Sequence, residues 1–223
     1  MRILHVSDLH ACEAHYRWLV EASSSYSLVS ISGDLADFNQ FRLTKKSIDM
    51  IVAKLRALRV PLAVCSGNHD SLVGNDSQLH QAKWLRDLKA DNVFVDGDRF
   101  QIDGYKFRSV GWKADFSSAL PDESVWLVHT PPDRSKVSIA RGGICHGDML
   151  LGDLYRAGAG PKLALSGHVH DAGWRAKVGN TWVLNPGYST DFVKPNYNVI
   201  DLARGIATHH AASGETDIVR LWS

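Results

Sequence analysis

The sequence predicts a layered α/β sandwich, with sheets inside and helices outside. Three observations carry that expectation. Strand-like apolar runs alternate with helical patterns through the first half of the chain, and strands dominate the second half. One apolar run after another then stops at a small cluster of polar residues. Alternation implies parallel strands joined by helical crossovers, and sheets flanked by helices bury their faces in layers.

The elements follow in order. Residues 2–7 read as a strand rich in Ile, Leu and Val, and a helical pattern covers 14–23. A second strand spans 27–32, before a helix predicted over 41–58 with Ile48, Ile51, Val52, Leu55 and Leu58 at helical spacing. Its cations (Arg42, Lys45, Lys46, Lys54, Arg56 and, just beyond, Arg59) form a solvated face, not a binding stripe. Strand 61–66 and helix 78–89 complete this half. Phe100-Gln101-Ile102 and Tyr105-Lys106-Phe107 flank Asp103-Gly104, a hairpin signal. Further strands are predicted at 105–110, 124–129, 162–166, 181–185 and 197–201, with a helix at 147–157. No repeat, low-complexity tract or Pro/Gly/Ser linker interrupts the chain, so residues 1–223 are expected to form one domain.

Composition narrows the function classes. Of 223 residues, 44% are apolar and 22% charged, ordinary values for a globular protein. A formal net charge of +1 does not indicate a nucleic-acid partner or an anionic membrane surface. Cys12, Cys65 and Cys145 are odd in number and lack CxxC spacing, which suggests a reducing compartment. MRILHV begins as a strand with no leader before it, and no apolar run approaches the ~20 residues of a bilayer span. A cytoplasmic protein with no membrane partner is the expectation.

The polar clusters carry the chemistry. They are VSDLH at 6–10, SGDLAD at 32–37, SGNHD at 66–70, VHTPP at 128–132 and SGHVH at 166–170. In open α/β sheets, sites form beyond the carboxyl ends of strands, where each of these clusters falls. On extended backbone, Asp8 and His10 would share one side, as would His168 and His170. With Asp34, Asn68 and His129, they give four imidazoles, two carboxylates and one amide oxygen. Seven donors exceed one tetrahedral ion and suit two metals sharing a carboxylate. Imidazole-rich N/O sets favour Mn, Fe, Zn or Co over Mg or Ca, and among these manganese is the expected ion.

In order, D-x-H, G-D-x-x-D, G-N-H-D, a lone His and G-H-x-H resemble the calcineurin-like metallophosphoesterase superfamily over Asp8 to His170. The resemblance implies a four-layer fold, two mixed β-sheets flanked by helices. It assigns Asp8, His10 and His170 to one ion, Asn68, His129 and His168 to the other, and Asp34 as the bridge. It makes His69 the histidine that assists the phosphate or protonates the leaving group, oriented by Asp37. Two dications less two carboxylates leave a centre attractive to phosphoesters, so hydrolysis by a hydroxide bridging the ions is expected.

The small phosphoester substrate is expected to be a diester, as in compact bacterial members of the superfamily. A phosphomonoesterase or protein phosphatase is the alternative, although GDLAD lacks the Arg-Gly that follows this motif in Ser/Thr phosphatases and GNHD replaces GNHE. A repair-type nuclease is disfavoured because little chain follows residue 201 for a DNA-capping domain. A scaffold that has lost its metal chemistry is disfavoured because every ligand position is filled. His5, His15, His80, His209 and His210 are expected to be ordinary hydrogen-bonded histidines, Asp70 a turn residue, and Cys145-His146 no nucleophile–base pair. Asn185-Pro186-Gly187 is read as a turn closing the site, and Arg134, Lys136 and Arg141 as surface cations.

Overall fold

Strands apolar on both faces need cover on both sides. The computed structural model describes residues 1–37, 45–71, 82–114, 124–189, 191 and 193–222. The first half runs β1 (Arg2–Val6), α1 (Glu13–Ala22), β2 (Leu28–Ser32), α2 (Lys45–Arg56), β3 (Leu62–Cys65), α3 (Lys83–Arg86) and β4 (Val93–Phe94). β1 to β4 pair in parallel, and β2 and β3 are buried throughout. Parts of the helices expected over 41–58 and 78–89 lie outside the described residues, as does His80.

The second half runs β5 (Arg99–Ile102), β6 (Tyr105–Val110), β7 (Val125–Val128), α4 (Met149–Arg156), β8 (Leu163–Leu165), β9 (Arg175–Val178), β10 (Thr181–Leu184), β11 (Tyr197–Asp201), β12 (Ile206–His210) and β13 (Thr216–Arg220). Asp103 and Gly104 carry φ of 50° and 82°, the two left-handed residues of a type I′ turn joining β5 to β6. α4 starts where the Asp148 carboxylate accepts the Leu151 N–H at 2.9 Å.

Two mixed sheets result. One has the order β13-β12-β11-β1-β2-β3-β4, the other β5-β6-β7-β8-β10-β9. Between them lies a core of Ile3, Leu28, Phe107, Leu127, Leu165 and Ile200 with their neighbours. The outer face of the seven-stranded sheet packs Leu4, Val6 and Ile31 against α1, α2 and α3 through Leu19, Ile51 and Leu85. The outer face of the six-stranded sheet packs Trp126 and Val183 against Leu151 and Tyr155 of α4. Helices, sheet, sheet and helix make the expected four layers. β4, β9, β12 and β13 were not anticipated. Among the described residues, no helix is long and apolar enough to cross a membrane.

Candidate metal centre at the strand ends

β1, β2, β3, β7 and β8 end at one edge of the sandwich, and each is followed by one of the polar clusters. The Ser-Gly punctuation lets these loops meet. A Cβ on Gly33 would stand 2.6 Å from His129 Cγ and 2.9 Å from Gly67 Cα, and one on Gly67 would collide with the Asp34 carboxylate. The serines fasten the loops. Ser32 Oγ donates across the sandwich to the Leu165 carbonyl at 2.9 Å, and Ser66 Oγ accepts the Trp112 N–H at 2.9 Å.

Asp8, His10, Ala11, Asp34 and His168 all have positive φ, between 42° and 71°. Each such residue is strained by about 1–2 kcal/mol, and strain of this kind concentrates at functional sites. This corrects the expectation that Asp8 and His10, and His168 and His170, face one way through strand alternation. β1 and β8 end at Val6 and Leu165, and left-handed turns aim these side chains instead.

Two donor groups form. Asp8, His10, Asp34 and His170 each offer a ligand atom within 4.8 Å of the others, and so do Asp34, His129 and His168. Asp34 is common to both. Its Oδ2 lies 4.0 Å from His10 Nε2 and 3.3 Å from His129 Nε2. Asn68 Oδ1 stands 3.1 Å from His129 Nε2, and His170 Nε2 is 3.4 Å from Asp8 Oδ1. All seven residues singled out as donors therefore converge. His69 lies beside them, its Nε2 3.9 Å from Asp34 Oδ2 and its backbone N–H donating to Asp34 Oδ1 at 2.8 Å. His10, Asp37 and His69 form a third cluster, with donor atoms again within 4.8 Å.

The electrostatics fit divalent cations. Asp8 and Asp34 are buried, and among the described residues their ion-pair partners are all histidines, with no Lys or Arg. Buried carboxylates ordinarily require paired cations or metals. Burial pushes Asp34 upward, but the adjacent His129 and the His69 N–H outweigh it and hold the carboxyl below its usual range. Burial likewise depresses His129, yet Asp34 and Asp8 raise it to about 9. Desolvation, with His129 nearby, lowers His168 to about 4, leaving a neutral donor. His129 Nδ1–H donates to the Ser32 carbonyl at 2.7 Å, which turns Nε2 toward Asp34 and Asn68. A ligand imidazole is commonly oriented by such a bond. His10 Nε2 and His170 Nε2 face each other at 3.1 Å, where at most one proton fits between two lone pairs.

Behind the site, a buried chain fixes tautomers. Because Ser32 Oγ donates to Leu165, it accepts from His5 Nε2–H at 2.9 Å. His5 Nδ1 then accepts from Asn198 Nδ2 at 3.3 Å, and Asn198 Oδ1 accepts from His209 Nδ1–H at 3.0 Å. Burial keeps His5 near 3, so it stays neutral. His5 and His209 are thus hydrogen-bonded, as expected. His15 stands 2.6 Å from the Asp191 carbonyl and His210 stacks on Tyr197.

Other residues at the site escaped the sequence reading. Trp112 places its ring 5.7 Å from His129 and 5.6 Å from His168, while Tyr188 lies 5.3 Å from His10 and 4.8 Å from His170. His146 is 6.4 Å from His168. Trp112 follows the end of β6 as the candidate ligands follow their strands, a signal that could have found it. Tyr188 follows Asn185-Pro186-Gly187, where Asn185 Nδ2 donates to the Val169 carbonyl at 2.9 Å. Asp70 does more than a turn residue. Its two oxygens accept the Ala36 and Gly67 N–H groups at 2.9 and 2.8 Å, tying the second polar cluster to the third.

The comparisons agree with this geometry. Residues 1–205 match the model of the calcineurin-like phosphoesterase superfamily domain. None of the curated proteins matches the chain. Among solved structures, purple acid phosphatase PPD1 from yellow lupin seeds is 12% identical with a TM-score of 0.61, covering 99% of this chain and 53% of its own. GAP50, the anchor in the inner membrane complex of Plasmodium, is 10% identical with a TM-score of 0.59, covering 100% and 89%. Phosphopantetheinyl hydrolase from Mycobacterium tuberculosis is 12% identical with a TM-score of 0.51, covering 86% and 94%. Identities this low speak for the fold alone. With its family match spanning 205 of 223 residues, this chain belongs to the calcineurin-like phosphoesterase superfamily.

Proposed function

We propose that this protein is a phosphodiesterase working with two divalent transition-metal ions, manganese favoured. One observation carries the reading: two donor groups meet at the single carboxylate of Asp34. Asp8, His10 and His170 would hold one ion, Asn68, His129 and His168 the other, and Asp34 both. When bound, the ions would supply positive charge to the phosphoryl oxygens and acidify the attacking water.

The chain's own side chains would do the rest. Ser32 and Asp70 hold the loops so that the donors need little rearrangement. His69, beside Asp34, would give a proton to the departing oxygen, and Asp37 would orient its imidazole. The diester preference is supported by the absent protein-phosphatase signatures in GDLAD and GNHD.

Elemental analysis after reconstitution with manganese should find two ions per chain, and chelator should abolish turnover. At most one ion would overturn the dinuclear reading. Bis-p-nitrophenyl phosphate should show a higher kcat/KM than p-nitrophenyl phosphate, and the reverse order would make the protein a monoesterase.

A further inference from the structure

On one side the candidate centre opens into a cavity of about 300 Å³. His129 and His168 line it, together with Trp112, Val128, Leu150 and Leu151. The segment that carries Leu150 to this cavity, here called its rim, is unusually apolar. Ile139, Ile144, Met149 and Leu150 are 40%, 63%, 68% and 68% exposed, four of the six large apolar side chains that stand out among the described residues. All four fall within 139–150, the segment that brings His146, Asp148 and Leu150 to the cavity wall. Met149 and Leu150 occupy the first turn of α4, whose core contacts are made by Leu151 and Tyr155. The two exposed side chains are not part of that core cluster.

We propose that this cavity and rim bind an apolar substituent of the substrate, so that the phosphoester carries an aliphatic or aryl group. The inference rests on the phosphoesterase reading above. Continuity selects the occupant. A phosphoryl group held by His129 and His168 would project its substituent into a space those imidazoles already line. The walls offer surface for carbon: Trp112 gives a flat ring, Leu150 and Leu151 aliphatic surface, and of the polar lining (Lys113, Thr130, His146 and Asp148) the Asp148 carboxylate is already engaged with the Leu151 N–H. A protein or membrane resting on the rim alone would have no reason to share a cavity with two candidate metal ligands.

Titration calorimetry of the manganese-loaded chain with methyl, butyl, hexyl and phenyl phosphate tests this, beside turnover of bis-p-nitrophenyl phosphate. Affinity should rise about two- to fourfold per methylene buried. Hexyl phosphate tighter than phenyl assigns an aliphatic chain, and the reverse an aryl group. Leu150→Ser and Trp112→Ala, each checked by its melting curve, should shrink the hexyl-to-methyl ratio. Equal binding of methyl and hexyl phosphate, or a ratio unchanged in both variants, overturns the proposal. So does recruitment to phosphatidylcholine vesicles with a flat series, which would make the rim a membrane surface. A flat series with turnover intact sinks this inference alone. Absence of turnover sinks the phosphodiesterase reading, while the binding series still decides the cavity.

Discussion

Replacing Gly33 with alanine should damage this protein far more than one methyl group suggests. The residue has φ of +85°, where an L side chain costs about 1–2 kcal/mol. The new methyl would sit 2.6 Å from His129 Cγ, so the imidazole must retreat by about 1 Å to reach ordinary contact distance. That retreat breaks the 2.7 Å bond from Nδ1–H to the Ser32 carbonyl. Leaving this buried donor unsatisfied adds about 1–3 kcal/mol. Together they make about 2–5 kcal/mol, or about 4–20 °C in Tm for a chain of this size. Because the displaced ring is a proposed ligand, metal content should also fall from two ions per chain toward one. Calorimetric melting and elemental analysis of Gly33→Ala read both effects. A wild-type Tm with two ions retained would refute the argument that Ser-Gly pairs exist to let the loops close on the centre.

Four further predictions follow from the same geometry. Asp34→Asn should lose bound metal and more than about 100-fold in kcat, beyond the scale seen for partners outside the ligand shell. Asp70→Asn should keep both ions and instead lower Tm by about 2–12 °C, because one of two buried N–H groups loses its acceptor; equal losses of turnover would reverse the assignment. His69→Ala should slow hydrolysis of a nucleotide diester by about 10²–10⁴-fold, and bis-p-nitrophenyl phosphate far less, since p-nitrophenolate departs unprotonated; equal slowing of both substrates would remove the general-acid role. The last concerns pH. His129 has its pKa raised from 6.5 to about 9, so its ion pair with Asp34 stabilises the metal-free protein fully below 6.5 and is lost as pH rises through about 9. A metal must displace that proton, so affinity should rise about tenfold per pH unit up to about 9. Competition with a fluorescent chelator at pH 6, 7 and 8 measures it, and a flat profile would contradict the protonated ground state.

What the sequence determined by itself was local. Short apolar runs ending in Ser-Gly, Ser-Asp or His marked the strands that β1, β2, β3, β7 and β8 became, and Asp103-Gly104 marked its hairpin. The same stops marked all seven residues that meet at Asp34, because donors must stand where a strand releases its chain. The outer strands were illegible for the opposite reason. β13 is largely exposed and β9 half-buried, so neither carries an apolar pattern, and their identity comes from pairing with β12 and β10. Tertiary structure alone decided how the side chains reach the centre, through left-handed turns at Asp8, Asp34 and His168 whose strain only surrounding contacts can maintain. It also made Asp70 a clamp between two loops and brought Trp112, Tyr188 and His146 beside the imidazoles proposed as metal ligands. Those contacts join residues as far as 178 positions apart, as Tyr188 is from His10, a separation over which no local pattern can act.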